Sequence, residues 1–149
     1  MKKRILGIVT ALVIAGMMLC QTAFAAGTLE LVSAFPEDGK SGYEIMNQYA
    51  RLVFSGAIDV EQNKEYFKVE GPEGKEEPVR VLEEADQPER VNLLFENQLV
   101  ESTEYTIIID GALSDVDGNT LGEDVTITFK TKSMKRESLI TTVMMFVMM

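Results

Sequence analysis

Residues 104–132, EYTIIIDGALSDVDGNTLGEDVTITFKTK, read as strand, polar loop, strand. Tyr105, Ile107 and Ile109 alternate with Thr106, Ile108 and Asp110. After the loop, Val125, Ile127 and Phe129 alternate with Thr126, Thr128 and Lys130. Successive side chains of a strand point to opposite faces, so this period of two is the pattern of a half-buried strand. The loop between the two runs has turn chemistry. Gly118 and Asn119 accept positive φ, and aspartate side chains bond nearby backbone amides.

The same alternation recurs toward the N-terminus. Residues 29–35 (LELVSAF) form a strand stopped by Pro36, Glu37, Asp38 and Gly39, a strong turn signal. Residues 40–48 are polar and irregular, a short edge strand or a loop. Residues 49–55 place Ala50, Leu52 and Phe54 on one face, with Tyr49, Arg51 and Val53 on the other. Residues 66–70, 78–84 and 90–96 are further strands. Gly71 to Lys75 make a tight connection, and residues 83–90 (EEADQPER) read as a solvated loop broken by Pro88. Leu99 is placed at the end of the core. About seven strands with turns between them, and no sustained helical period, predict an all-β fold. An immunoglobulin-like β-sandwich that buries the inner faces of two sheets fits best.

The two ends differ from this domain. Residues 1–25 have the parts of a secretory signal peptide: basic Lys2, Lys3 and Arg4, an apolar run from Ile5 to Leu19, and Ala23-Phe-Ala25 as the cleavage site. An uncleaved anchor is the alternative. A lipoprotein reading through Cys20 is disfavoured, because Leu19 stands where a small residue is needed. Residues 26–132 are the predicted domain. Residues 133–149 open with Lys135 and Arg136 and continue as an uncharged apolar tail from Leu139. Eleven helical residues span about 16 Å, half of a bilayer core. The tail is read as a C-terminal membrane anchor, complete or cut within a transmembrane helix, with an amphiphilic surface-touching tail as the alternative. The two basic residues on its exported side run against the positive-inside tendency.

Composition excludes several functions. Removing residues 1–25 takes Lys2, Lys3 and Arg4 from the 14 basic residues, leaving 11 against 24 acidic ones and a net charge of −13. An acidic chain without a basic stripe does not suit nucleic acid, whose binding depends on clustered cations. There is no histidine, which removes the commonest general base and metal ligand. The one cysteine is Cys20, so no disulfide can hold the exported domain.

Against this background the motifs resemble the bacterial Ig-like domain of S-layer proteins, the SbsA-type family. The matching pieces run in order: Ser33-Ala-Phe-Pro-Glu-Asp-Gly39, Leu52-Val-Phe-Ser55 with Ile58 and Asp59, Leu99 with Tyr105, Asp115-x-x-Gly-Asn-x-Leu121, and Phe129-Lys-Thr131. Phe95 departs from a position where the family often has proline, and Gly56-Ala57 from a commoner polar pair. The resemblance implies an extracellular structural or adhesive module and no catalysis. In Ig-like sandwiches a tyrosine placed like Tyr105 bonds its hydroxyl back to nearby backbone, and that clamp is the expected role here.

Three site hypotheses remain. Asp115, Asp117 and Asn119, with Glu123 and Asp124 behind them, space oxygen ligands as a Ca²⁺ loop begins. The spacing departs from an EF-hand at Gly118, Thr120 and Thr126, and the preferred reading is a strand-connecting turn. Asp38 and Asp59 would join a metal site only if the fold brought their loops together. Tyr43, Tyr49 and Tyr66, taken as exposed, form a candidate recognition patch. Paired carboxylates for glycoside hydrolysis are a distant third, since Glu76, Glu77, Glu83 and Glu84 read as solvated charges. The sequence thus predicts an exported, non-enzymatic module at the cell surface or on the outer face of the cytoplasmic membrane. Its partner would be an envelope protein or a polysaccharide, with membrane association through the tail. A Ca²⁺-dependent surface domain is the alternative.

Overall fold

The computed structural model of the protein describes residues 27–134. The signal peptide expected over residues 1–25 and the apolar run of the tail lie outside the described residues. Nine strands follow one another: β1 (Leu31–Phe35), β2 (Lys40–Tyr43), β3 (Tyr49–Phe54), β4 (Phe67–Glu70), β5 (Glu76–Glu77), β6 (Val79–Glu84), β7 (Gln87–Phe95), β8 (Glu104–Ile109) and β9 (Val125–Thr131). A single helical turn, α1 (Val60–Asn63), lies between β3 and β4. The strands form a four-stranded sheet in the order β1-β3-β7-β6 and a five-stranded sheet in the order β2-β9-β8-β4-β5. No helix among the described residues is long and apolar enough to cross a membrane.

The period-two reading identifies the inward faces. Ala50, Leu52, Phe54, Val91, Leu93 and Phe95 from one sheet meet Phe67, Val69, Tyr105, Ile107, Ile109, Ile127 and Phe129 from the other, and all are buried. Leu99 closes one end of this core. Aromatic rings fill its centre: Tyr105 stacks on Phe129 at 5.7 Å, and Phe54 meets Phe67 edge-on at 6.2 Å. Such pairs add to the burial of their area. No disulfide adds to this packing, since Cys20 is the one cysteine of the chain.

Of the two alternatives for residues 40–48 the structure has the edge strand, β2, and it adds β5 to the strands expected. After β1 the turn at residues 36–39 carries the chain across to the second sheet. There β2 pairs in parallel with β9, Lys40 opposite Phe129. Asp38 Oδ1 accepts the Thr128 N–H at 2.8 Å and secures the crossing. β5 pairs with β4 before the chain crosses back to β6.

One predicted loop is corrected. Residues 83–90 are not a solvated loop: β6 runs to Glu84 and β7 begins at Gln87, a hairpin turning at Ala85 and Asp86. Pro88 is tolerated because the β6–β7 ladder steps from Glu83↔Val91 to Glu84↔Gln87 and skips it, while pairing with β3 starts only at Arg90. No ladder bond needs the missing N–H. The Pro88 carbonyl accepts the Ile58 N–H at 2.9 Å.

Candidate functional site

The loop with the calcium-like spacing folds as a compact hairpin. The Asp115 N–H donates to the Asn119 carbonyl at 3.0 Å, and the Gly118 N–H to the Asp115 carbonyl at 3.1 Å. Gly118 has φ +85°, the left-handed residue that ends a three-residue hairpin loop. Asp115 is only 8% exposed. Its Oδ1 accepts from the N–H groups of Asp117 at 3.0 Å and Asn119 at 2.9 Å, and its Oδ2 accepts from Asn119 Nδ2 at 2.8 Å. A Cβ on Gly56 would lie 2.4 Å from Asp115 Oδ2, so glycine is required where the buried carboxylate meets the end of β3. Burial pushes the Asp115 pKa up, but the bonds from Asn119, Asp117 and Gly118 outweigh it and leave it below the usual carboxylate range.

Three more of the carboxylates named as possible ligands are occupied by hydrogen bonds in the same way. Asp59 caps α1, its Oδ1 accepting the Gln62 N–H at 3.3 Å and its Oδ2 the Gln62 side-chain amide at 2.7 Å. Asp124 Oδ1 accepts the Gly111 N–H at 2.8 Å, and Asp38 bonds to β9 as described. Asp117 and Glu123 are exposed. Among the described residues no group of three or more His, Cys, Asp or Glu is placed to hold a metal ion. A hard cation takes six to eight oxygens, and this geometry supports the turn reading of Asp115, Asp117 and Asn119.

The tyrosines separate in the same sense. The Tyr105 hydroxyl accepts the Val100 N–H at 2.9 Å, the expected clamp. Thr131, buried and the last residue of the Phe129-Lys-Thr131 motif, reinforces it. Its Oγ1 donates to the Val100 carbonyl at 2.6 Å and accepts the Thr103 N–H at 2.9 Å. The patch of Tyr43, Tyr49 and Tyr66 is corrected: Tyr43 is 3% exposed. The Tyr43 hydroxyl donates to the carbonyls of Asn47 and Tyr49 and closes the β2–β3 connection as a second clamp. Burial pushes its pKa up to about 12. A four-residue strand as polar as KSGY gave no signal that its last side chain is in the core.

The outer face of the four-stranded sheet is the feature that sequence reasoning missed. Cross-strand register sets Tyr49, Leu94 and Arg80 in one row, and Phe35, Arg51, Asn92 and Leu82 in the next. Val53 and Arg90 follow in a third. Phe35, Tyr49 and Leu82 are about two-fifths exposed, at 41%, 38% and 43%. The rings of Phe35 and Tyr49 lie 5.9 Å apart, and the Arg51 guanidinium sits 5.8 Å from the Tyr49 ring centre. Arg51 Nε donates to Asn92 Oδ1 at 3.2 Å, which holds the guanidinium over the ring. Arg51, Arg80 and Arg90 are every arginine between residues 27 and 134, and all three stand on this face. Their acidic neighbours are at ion-pair limits, Glu96 at 3.9 Å from Arg80 and Glu84 at 3.8 Å from Arg90. The Arg80–Glu96 pair is exposed and at that length contributes little, which leaves the Arg80 guanidinium able to bind a further anion; Arg90 and Glu84 are each about one-third exposed.

Comparison with known proteins agrees with this architecture. The family pattern described as bacterial Ig-like domain matches residues 26–131. No curated protein sequence matches the chain significantly. Among solved structures, CopC from Methylosinus trichosporium OB3b is similar with a TM-score of 0.56 at 18% identity, over 70% of this chain and 93% of CopC. PcoC, a methionine-rich copper resistance protein from Escherichia coli, is similar with a TM-score of 0.56 at 17% identity, over 71% of this chain and all (100%) of PcoC. The S-layer protein SbsC is similar with a TM-score of 0.52 at 17% identity, over 70% of this chain but only 14% of SbsC. At these identities the likeness is one of fold.

Proposed function

Because the chain belongs to the bacterial Ig-like domain family, we propose that it is an exported, non-catalytic interaction module that binds an anionic envelope partner through the outer face of its four-stranded sheet. The observation that carries this reading is the gathering of Arg51, Arg80 and Arg90 with Phe35 and Tyr49 on one face. The chain around them has 24 acidic residues against 14 basic ones. Arginine and aromatic side chains supply most of the energy at binding surfaces, and a guanidinium fork matches carboxylates in two-point contacts. An acidic protein segment and a uronate-containing polysaccharide share that chemistry. Residues 1–25 direct export, and residues 133–149 hold the domain at the outer face of the membrane. The order of the motifs from Ser33 to Thr131 supports an SbsA-type member of the family. Copper binding is not carried over from the similar copper resistance protein, since the likeness is of fold alone.

The test uses two soluble polyanions, poly-L-glutamate and polygalacturonate, followed by amide chemical shifts of the domain. The reading expects salt-sensitive shifts at residues 33–35, 49–53, 80–82 and 90–94 with at least one of them. It expects none with neutral dextran. N-terminal sequencing of the exported protein is expected to begin at Ala26.

A further inference from the structure

We infer that β6 is a self-pairing edge, which joins the β6 strand of a second copy antiparallel about a two-fold axis at Leu82. This inference does not require the anionic partner, although Arg80 takes part in both. β6 is the last strand of the four-stranded sheet, and among the described residues its only strand neighbour is β7. The Glu96 N–H donates to the Pro78 carbonyl at 3.0 Å, which sets the parity of the ladder. Pro78, Arg80 and Leu82 direct their backbone groups to β7, so Val79, Val81 and Glu83 direct theirs outward. An unpaired row of this kind is a template for another strand. A groove runs along it, walled on the other side by Lys64, Phe67 and Lys68.

The side chains select the register. Residues opposed across an antiparallel pair share a face, so the axis must pass through a residue of β6 itself. An axis at Arg80 opposes two arginines, and one at Glu83 opposes two glutamates; like charges directly opposite are unfavourable. An axis at Val81 sets Val79 against Glu83. An axis at Leu82 sets Leu82 against Leu82 and Arg80 against Glu84 twice, while Val81 and Glu83 exchange the backbone bonds. Leu82 is 43% exposed, and its self-contact would remove that apolar surface from water. Glu84 Oε2 lacks a hydrogen-bond partner among the described residues, with Arg90 Nη1 at 3.8 Å. That atom is itself shut off from solvent, so the Arg80 side chain of the second copy meets the remaining part of the Glu84 carboxylate, whose side chain is 34% exposed. Joined this way, two four-stranded sheets become one of eight strands, with the arginine-bearing faces side by side.

The test is cysteine cross-linking of the full chain in mild detergent, with Cys20→Ser removing the only native thiol. Opposed residues at a non-hydrogen-bonded antiparallel site come to about 4.5 Å between Cα atoms, within disulfide reach. Leu82→Cys is expected to form a disulfide dimer under mild oxidation. Val32→Cys, more exposed at 64% but on β1, is expected to stay monomeric. Added to Leu82→Cys, Arg80→Glu is expected to suppress that dimer, as is Glu84→Arg, and the two together to restore it. Cross-linking at position 82 no faster than at position 32 would overturn the inference. So would a faster reaction of Val81→Cys, or a double exchange that fails to restore the dimer.

Discussion

Removing the Asp115 carboxylate tests whether the DVDGN loop is held by backbone capping. In Asp115→Ala the N–H groups of Asp117 and Asn119 and the Asn119 side-chain amide lose their acceptor. Hydrogen bonds to a charged group contribute about 1.5–3 kcal/mol each, and exposed donors recover part of this from water. Since Asp117 is exposed and Asn119 half-buried while Asp115 itself is buried, the expected net loss is about 2–4 kcal/mol. For a domain of this size that lowers Tm by roughly 8–16 °C. Asp115→Asn keeps the volume but sets one amide against another, and is expected to cost about 1–2 kcal/mol. The pH dependence separates charge from shape. Folding depresses the Asp115 pKa, so its stabilisation is present above the unfolded value of about 3.9 and is lost as pH falls through the folded value. Wild type therefore has a steeper acid limb than Asp115→Asn. Urea unfolding from pH 2 to 7 measures both quantities. An Ala variant within 0.5 kcal/mol of wild type (about the spread of ordinary surface changes), or an Asn variant with an unchanged acid limb, would refute the capping account.

Four further outcomes follow from the same geometry. Gly56→Ala, whose Cβ would meet Asp115 Oδ2 at 2.4 Å, is expected to destabilise by about 1–3 kcal/mol, and by less in an Asp115→Ala background, as a double-mutant cycle would reveal. Millimolar Ca²⁺ and chelator are expected to leave Tm unchanged, and Asp117→Ala to be nearly neutral; a calcium-dependent rise lost in that variant would restore the metal reading. Tyr105→Phe strands the Val100 N–H and is expected to cost about 1–2 kcal/mol without altering polyanion binding. For Tyr43 the folded pKa of about 12 lies above the unfolded one, so stability falls as pH rises from about 10 toward the folded value, and Tyr43→Phe flattens that alkaline limb in a pH series of unfolding curves.

The inward faces were legible because alternation fixes which residues of a strand share a side. Ala50, Leu52 and Phe54, or Tyr105, Ile107 and Ile109, need no knowledge of their partners. Sheet membership was not legible. The polar run at β2 pairs in parallel with β9, a contact about ninety residues away for Asp38 and Thr128, and nothing local encodes it. Pro88 misled because its missing N–H matters only where a neighbour strand needs it, and the ladder skips that position. The turn character of residues 115–119 is written in local spacing, but the role of Gly56 depends on a contact between loops. The arginine face had a signal that went unused. Arg51, Arg80 and Arg90 each occupy outward parity in their strands, and only the register of β1, β3, β7 and β6 shows that they meet.

The most direct test of the central claim is the polyanion titration repeated on the triple variant Arg51→Ala, Arg80→Ala, Arg90→Ala. All three side chains stand on the outer face, so the variant is expected to stay folded and to lose the shifts at residues 33–35, 49–53, 80–82 and 90–94. Shifts that persist in the folded variant, that centre on residues 113–121, or that are absent from wild type with both polyanions would contradict binding through this face.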